Sequence, residues 1–275
     1  TVDTLGNQRK MNYALNPDLS KEDFIKELTD GLMPPPGYFP LNVKMNKEGY
    51  APIDEVIESG MQALSPEAFE AAANETGALM LDVRKPQEFA SAHVPNSIFI
   101  GLDGGFAPWV GELIVDVKQP ILLIVPEGRE EEAVIRLARV GFDNTLGFLK
   151  GGIEAWQESG KEIETVESIP ASTFEQRFEQ VKEQVFDVRK PGEFTAEHID
   201  GAHHASLAEL NEHLSSFPKD ETFYLHCAGG YRSMIAASIL KARGIHNLVD
   251  VQGGYGAIKK TNIPRTDYVC PTTLK

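Results

Sequence analysis

Leu81-Asp82-Val83-Arg84-Lys85-Pro86-Gln87-Glu88-Phe89 returns about 105 residues later as Phe186-Asp187-Val188-Arg189-Lys190-Pro191-Gly192-Glu193-Phe194. His93 and His198 stand in the same register. Farther on, Arg139-Val140-Gly141 answers to Ala242-Arg243-Gly244, and Gly151-Gly152 to Gly253-Gly254. The spacing shortens slightly along the way, as it does when loops differ in length. The chain therefore reads as two copies of one domain.

Each copy alternates strand and helix patterns. In the first, Ser65-Pro66 supplies an N-cap and a proline at the first helical position. Residues 78–83 form an apolar strand, and 121–125 a continuous apolar run of the kind buried inside a parallel sheet. Residues 131–140 have helical periodicity and stop at Gly141. In the second copy, Ser172 and Glu175 predict a capping box. There 185–188, 222–226 and 247–251 read as strands, and 233–242 as a helix ending at Gly244. Such alternation predicts an α/β fold with a largely parallel sheet in each copy, flanked by helices. Residues 160–171, charged and containing Pro170, are the expected linker. Residues 1–50 lie outside the repeat. Ser20-Lys21-Glu22-Asp23 opens a helix there, Pro34-Pro35-Pro36-Gly37 stops it, and the remainder is expected to be extended and without a core of its own.

Composition narrows the function. The 275 residues suit roughly two domains. Acidic residues number 41 against 26 basic ones, a formal charge of −15, which argues against nucleic-acid binding, since that relies on Lys and Arg at phosphates. The longest apolar run, 121–125, is far short of a membrane span, and no signal peptide pattern is present. Two cysteines, Cys227 and Cys270, do not make a disulfide framework and point to a reducing, cytoplasmic setting.

The chemistry concentrates in His226-Cys227-Ala228-Gly229-Gly230-Tyr231-Arg232-Ser233, between an apolar strand and a helix start. Successive N–H groups of such a turn converge on one point, and glycines permit the curl. The helix dipole adds positive potential there, so a thiolate at Cys227 is favoured. Arg232 offers a positive fork to an anionic substrate, Ser233 a hydrogen bond to the sulfur, and Tyr231 a wall at the pocket entrance. In the first copy Pro126 falls opposite Cys227, in a loop expected to be about two residues shorter, and Glu130-Glu131-Glu132 would repel an anion. That copy is expected to be inactive. Asp82, Arg84 and His93 persist in it, which marks Asp187, Arg189 and His198 as fold elements, with Arg189 also a second positive group within reach of the loop. His203 and His204 are adjacent in a strand and point to opposite faces, so they do not chelate together.

Asp-Val-Arg, Glu-Phe, His-Ile-Asp-Gly-Ala and the Cys–Arg loop together resemble the rhodanese sulfurtransferase family, over about residues 55–265. The resemblance implies two tandem rhodanese-like domains behind an N-terminal tail. It also implies that Cys227 takes a sulfane sulfur from thiosulfate or a small persulfide and passes it to a thiol, sulfite or cyanide. Cys227 and Arg232 would be catalytic. Ala228, Gly229, Gly230, Tyr231, Ser233 and Arg189 would bind substrate, without a cofactor or metal in this chain. Tyrosine phosphatases and rhodanese-fold phosphatases place five residues between Cys and Arg. Here only Ala228, Gly229, Gly230 and Tyr231 intervene, a ring that suits a sulfur atom or small anion better than phosphate; the alternatives to a sulfurtransferase are a non-catalytic docking scaffold and, behind it, a phosphatase or arsenate reductase of the same fold.

Residues 1–50, with Asn12-Tyr13-Ala14-Leu15-Asn16-Pro17, Glu22-Asp23-Phe24, Pro34-Pro35-Pro36 and Asn46-Lys47-Glu48-Gly49-Tyr50, resemble the C-terminal tail of metallo-β-lactamase-fold persulfide dioxygenases. That resemblance implies a dioxygenase–rhodanese fusion whose iron ligands precede this chain, with 1–50 packing on a missing or partner domain of that fold. The expected domains are then 1–50, an inactive copy over 51–165, an active copy over 166–266, and a tail over 267–275. Expected partners are small anionic sulfur donors and thiol acceptors, and a homodimer remains open.

Overall fold

The computed structural model describes residues 2–29, 38–50 and 52–270. The chain divides into two compact units, Thr1–Pro36 and Gly37–Lys275. The first contains α1 (Leu5–Met11) and α2 (Lys21–Thr29), and neither helix has a buried residue. Thr4 caps α1 by accepting the Asn7 N–H at 3.1 Å. That cap makes a helix where an extended segment was expected. Ser20 opens α2 by accepting the Asp23 N–H at 3.0 Å. The expected stop at Pro34-Pro35-Pro36-Gly37 lies outside the described residues.

The larger unit begins with α3 (Phe39–Glu48), whose Pro40 sits in the first turn, where its missing N–H costs nothing, and α4 (Ile53–Gly60). Both are helices in stretches that sequence reading left without one. The first repeat then runs β1 (Ala63–Leu64), α5 (Pro66–Thr76), β2 (Leu79–Asp82), α6 (Pro86–Ser91), β3 (Ile98–Phe99), α7 (Phe106–Leu113), β4 (Ile121–Ile124), α8 (Glu130–Ala138), β5 (Thr145–Leu149) and α9 (Gly152–Glu158). The second runs β6 (Glu167–Pro170), α10 (Ala171–Val181), β7 (Val185–Asp187), α11 (Pro191–Ala196), β8 (His203–His204), β9 (Phe223–His226), α12 (Tyr231–Ala242), β10 (Leu248–Gln252) and α13 (Gly254–Ile258). Each repeat forms one five-stranded parallel sheet, ordered β1-β5-β4-β2-β3 and β6-β10-β9-β7-β8. The central strands β4 and β9 are buried at every residue, because helices cover both faces.

Two local expectations fail for one reason. The expected linker 160–171 contains β6, which pairs with β10 as far as Pro170. Helix α10 therefore starts directly at Ala171, and Ser172 and Glu175 are not its capping box. Glu175 instead accepts the Asn262 N–H at 2.7 Å.

The repeated Asp-Val-Arg motif builds the same device twice. Arg84 grips Asp82 at 2.6 Å and donates to the Ala92 carbonyl at 2.7 Å. Arg189 does the same with Asp187 at 2.6 Å and the Glu197 carbonyl at 2.8 Å. His93 and His198 each bond the carbonyl four residues back, at 2.9 and 2.8 Å. A device present in both copies serves the fold.

The two repeats share one apolar cluster. Helix α12 of the second lies along the edge of the first sheet, where Ser238 Oγ accepts the Phe99 N–H at 3.0 Å and Tyr231 donates its hydroxyl to the Gly101 carbonyl at 2.6 Å. Among the described residues no helix is long and apolar enough to cross a membrane.

Candidate active site

Strand β9 ends at His226, and α12 begins at Tyr231, so four residues reverse the chain. Gly230, at φ +96°, makes that reversal, since a side chain there would meet its own backbone. Its N–H donates to Cys227 Sγ at 3.1 Å. The sulfur thus sits at the N-terminus of a 12-residue helix, where the first amides lack intrahelical partners and the dipole favours negative charge. Ala228 and Gly229 are exposed while Cys227 is buried. A Cβ at Gly229 would meet nothing within 4 Å, so the loop is open to solvent above that residue.

Three supports hold this loop. From behind, the Tyr255 N–H donates to the Cys227 carbonyl at 2.6 Å and the Gly256 N–H to the Ala228 carbonyl at 2.9 Å. The approach is so close that a Cβ on Gly254 would stand 2.3 Å from the Cys227 oxygen. From below, Ser233 Oγ and Ser168 Oγ donate to the two oxygens of Asp250, each at 2.7 Å. Burial pushes the Asp250 carboxyl up to about 6. At the side, Arg232 meets Glu193 through two parallel bonds, 2.6 and 2.9 Å, and that guanidinium holds the Glu193 carboxyl below its usual range. His226 is fully buried, and that burial pushes its imidazole below its ordinary value. Its Nε2 has no hydrogen-bond partner and stands 3.9 Å from Asp187 Oδ2.

Several residues singled out from sequence are placed differently from expectation. Ser233 does not bond the sulfur; its hydroxyl is committed to Asp250, because the third position of the helix faces down into the sheet. Tyr231 does not stand at the pocket entrance, since its ring packs on Phe99 of the first repeat and contributes only a backbone amide to the loop. Arg232 is engaged by Glu193 rather than by open solvent. Arg189 is bound to Asp187 and the Glu197 carbonyl, with its guanidinium 3.9 Å over the Tyr255 ring. His203 and His204 bond different carbonyls, those of Glu183 and Arg189.

The first repeat supplies an internal comparison, and strand register corrects its alignment. Asp82 pairs with Ile124 as Asp187 pairs with His226, so Cys227 corresponds to Val125 and not to Pro126. The loop 125–129 is one residue longer than 227–230, not shorter. By the same register Asp250, opposite Leu225, corresponds to Phe148, opposite Leu123. The fold thus accepts Ile, Val and Phe where the second repeat carries His226, Cys227 and Asp250. Burying polar groups costs stability unless each is bonded, so their presence in only one copy is not explained by folding. Sequence reading gave no role to Asp250, Glu193 or His226. The missing signal was the one-residue register that pairs each with an apolar counterpart or a different partner. In the first repeat the equivalent place is a cavity of about 1140 Å³, lined by Glu88, Glu127, Glu130 and Glu154 against Arg84, which is already bound to Asp82.

Comparison with known proteins agrees with this architecture. The family model for the rhodanese-like domain matches residues 65–159 and 170–261. Thiosulfate sulfurtransferase GlpE of Actinobacillus pleuropneumoniae is 32% identical over 104 residues, 37% of this chain and 92% of that protein. The probable adenylyltransferase/sulfurtransferase MoeZ of Mycobacterium tuberculosis is 39% identical over 82 residues, 29% of this chain and 21% of that protein. An uncharacterized Bacillus subtilis protein, YqhL, is 35% identical over 74 residues, 27% of this chain and 59% of its own length. This chain therefore spans less than two thirds of the YqhL sequence and about a fifth of the MoeZ sequence. Among solved structures, a rhodanese-related protein of Thermoplasma volcanium aligns at 29% identity and TM-score 0.34, covering 36% of this chain and 97% of that one. With both repeats matched by one family model, the chain belongs to the rhodanese-like domain family.

Proposed function

We propose that this protein is a sulfurtransferase whose second domain works through a persulfide on Cys227, while the first domain is inactive. The observation that carries this reading is a buried cysteine sulfur held by a helix N-terminal amide at 3.1 Å, in the one repeat that also buries His226 and Asp250. The Cys227 thiolate attacks the outer sulfur of thiosulfate or a low-molecular-weight persulfide. A new S–S bond forms, and the old one breaks with its electron pair on the departing sulfite or thiol. A thiol, sulfite or cyanide then attacks the outer sulfur and regenerates the thiolate. Two half-reactions through a covalent intermediate predict ping-pong kinetics. Amides of 228–233, including those of Ala228, Gly229, Gly230, Tyr231 and Ser233, hold the anion, and Arg232 and Arg189, each ion-paired with a carboxylate, border the loop. The chemistry needs no cofactor.

The biological task within this proposal is sulfide and persulfide detoxification beside a persulfide dioxygenase. The sequence resemblance of residues 1–50 supports it, as do the exposed apolar residues Leu5, Met11 and Tyr13, which suit a segment that packs on another domain. Iron would belong to that dioxygenase. A cytoplasmic setting accords with the two-cysteine composition.

The test is intact mass after thiosulfate treatment, for the unaltered chain, Cys227→Ser and Cys270→Ser, with cyanide added afterwards. One added sulfur that requires Cys227, survives loss of Cys270 and disappears with cyanide supports the reading. No added sulfur on a chain whose Cys227 is reduced and alkylatable overturns it. Turnover of an aryl phosphate instead would select a phosphatase.

A further inference from the structure

We propose that Glu193 selects sulfur donors by charge, favouring a singly charged donor over the thiosulfate dianion. This rests on the sulfurtransferase reading of Cys227. The Arg232 fork faces both Glu193 oxygens in the geometry with which an arginine takes an anionic substrate. Arg232 is only 15% exposed at its side chain and Glu193 36%, so water screens the pair incompletely. Arg189 is likewise bound to Asp187 at 2.6 Å. Both guanidinia near the loop thus carry a carboxylate, and the positive potential left to the cradle is that of backbone amides and the α12 dipole. A helix N-terminus amounts to about half an elementary charge. That suits one negative charge and leaves the second charge of a dianion uncompensated.

Helix capping does not account for the pair. Glu193 accepts the Lys190 N–H at 3.1 Å, but Glu88 accepts the Lys85 N–H at 3.1 Å in the first repeat. There the loop arginine, Arg129, goes to Asp103 and Glu132 instead. Capping is common to both copies. The bidentate hold on a loop arginine through this glutamate occurs beside the cysteine.

Thiosulfate and methanethiosulfonate form the test pair, since they present the same sulfane sulfur and differ by one charged oxygen replaced with methyl. In each, Cys227 sulfur bonds the outer sulfur, and the electron pair of the broken bond leaves on sulfite or methanesulfinate. Loading of the full chain is followed by intact mass, for the unaltered protein and Glu193→Gln. Gln retains the oxygen that accepts the Lys190 N–H and loses the charge. Freeing Arg232 of its paired carboxylate, with the site partly screened, is worth roughly tenfold in rate. The expected result is a rise of about tenfold in the thiosulfate-to-methanethiosulfonate rate ratio, carried mainly by the thiosulfate KM. A ratio unchanged within twofold overturns the proposal. So does loss of loading from both donors in Glu193→Gln alone, which would make Glu193 structural. Failure of the unaltered chain to load from either donor overturns the sulfurtransferase reading itself.

Discussion

Gly254→Ala and Gly152→Ala are the same substitution at corresponding positions of the two repeats, and the structure makes their costs unequal. Both glycines have positive φ, +52° and +62°, so each alanine carries about 1–2 kcal/mol of left-handed strain. At Gly152 the nearest atom to a new Cβ is the end of the flexible Glu154 side chain, 3.2 Å away, and strain is the whole cost. At Gly254 the Cβ would lie 2.3 Å from the Cys227 carbonyl oxygen and 2.9 Å from the Ala228 carbonyl carbon. These are backbone atoms, so the loop or α13 must move by nearly an ångström. Overpacking of that kind adds about 1–3 kcal/mol, and the two hydrogen bonds from Tyr255 and Gly256 are worth about 1 kcal/mol each when broken. Gly254→Ala should therefore cost roughly 4–7 kcal/mol and Gly152→Ala about 1–2. Urea unfolding can separate the repeats, because both tryptophans, Trp109 and Trp156, lie in the first, whereas amide hydrogen exchange of α12 reports opening of the second. Gly254→Ala should also slow Cys227 persulfide formation by about a hundredfold, as a displacement of about an ångström does at a reacting centre. Equal stability losses in the two variants, or normal loading in Gly254→Ala, would refute the view that α13 sets the position of the sulfur.

Asp250→Asn tests the buried carboxyl. A group ordinarily at 3.8 and raised to about 6 in the fold binds its proton more tightly when native, so stability falls as pH rises through that window, by roughly 3 kcal/mol in all. The variant should flatten this slope and gain on the unaltered chain at pH 7.5 but not at pH 3.5; parallel urea curves at both pH values would contradict it. Tyr231→Phe removes the 2.6 Å bond to the Gly101 carbonyl. It should cost about 1–2 kcal/mol, leaving a buried carbonyl unpaired, and increase hydrogen exchange at the edge of the first sheet; unchanged exchange there would mean the bond does not form in solution. Asp82→Asn strands Arg84 in the first repeat and should destabilise by about 3–5 kcal/mol, measurable by tryptophan fluorescence, while loss smaller than 1 kcal/mol would show that the pair is dispensable.

Much of the architecture was legible because it rests on local rules. The duplicated Asp-Val-Arg-Lys-Pro stretch, the apolar run at 121–125 and the glycines Gly141 and Gly244 that stop α8 and α12 are local patterns of a parallel α/β unit. Short edge strands such as β1, β3 and β8 have only two residues each and leave no periodicity to read. Strand β6 was hidden because its pairing with β10 is long-range, whereas Pro170 and the surrounding charges look like a linker when taken alone.

Sequence by itself determined the duplication, the α/β class, the cysteine loop between strand and helix and the lack of a thiol in the first copy, since these depend on residue identity and on short spacing. Tertiary structure alone decided what each loop side chain does. Ser233 turns to Asp250 and Tyr231 to the first repeat, Arg232 is claimed by a glutamate 39 residues earlier, and one step of strand register puts Val125 and not Pro126 opposite Cys227. Partners this far apart in the chain are chosen by where the sheet brings strand ends together, and a side chain bonds the group it reaches there, information that no local window contains.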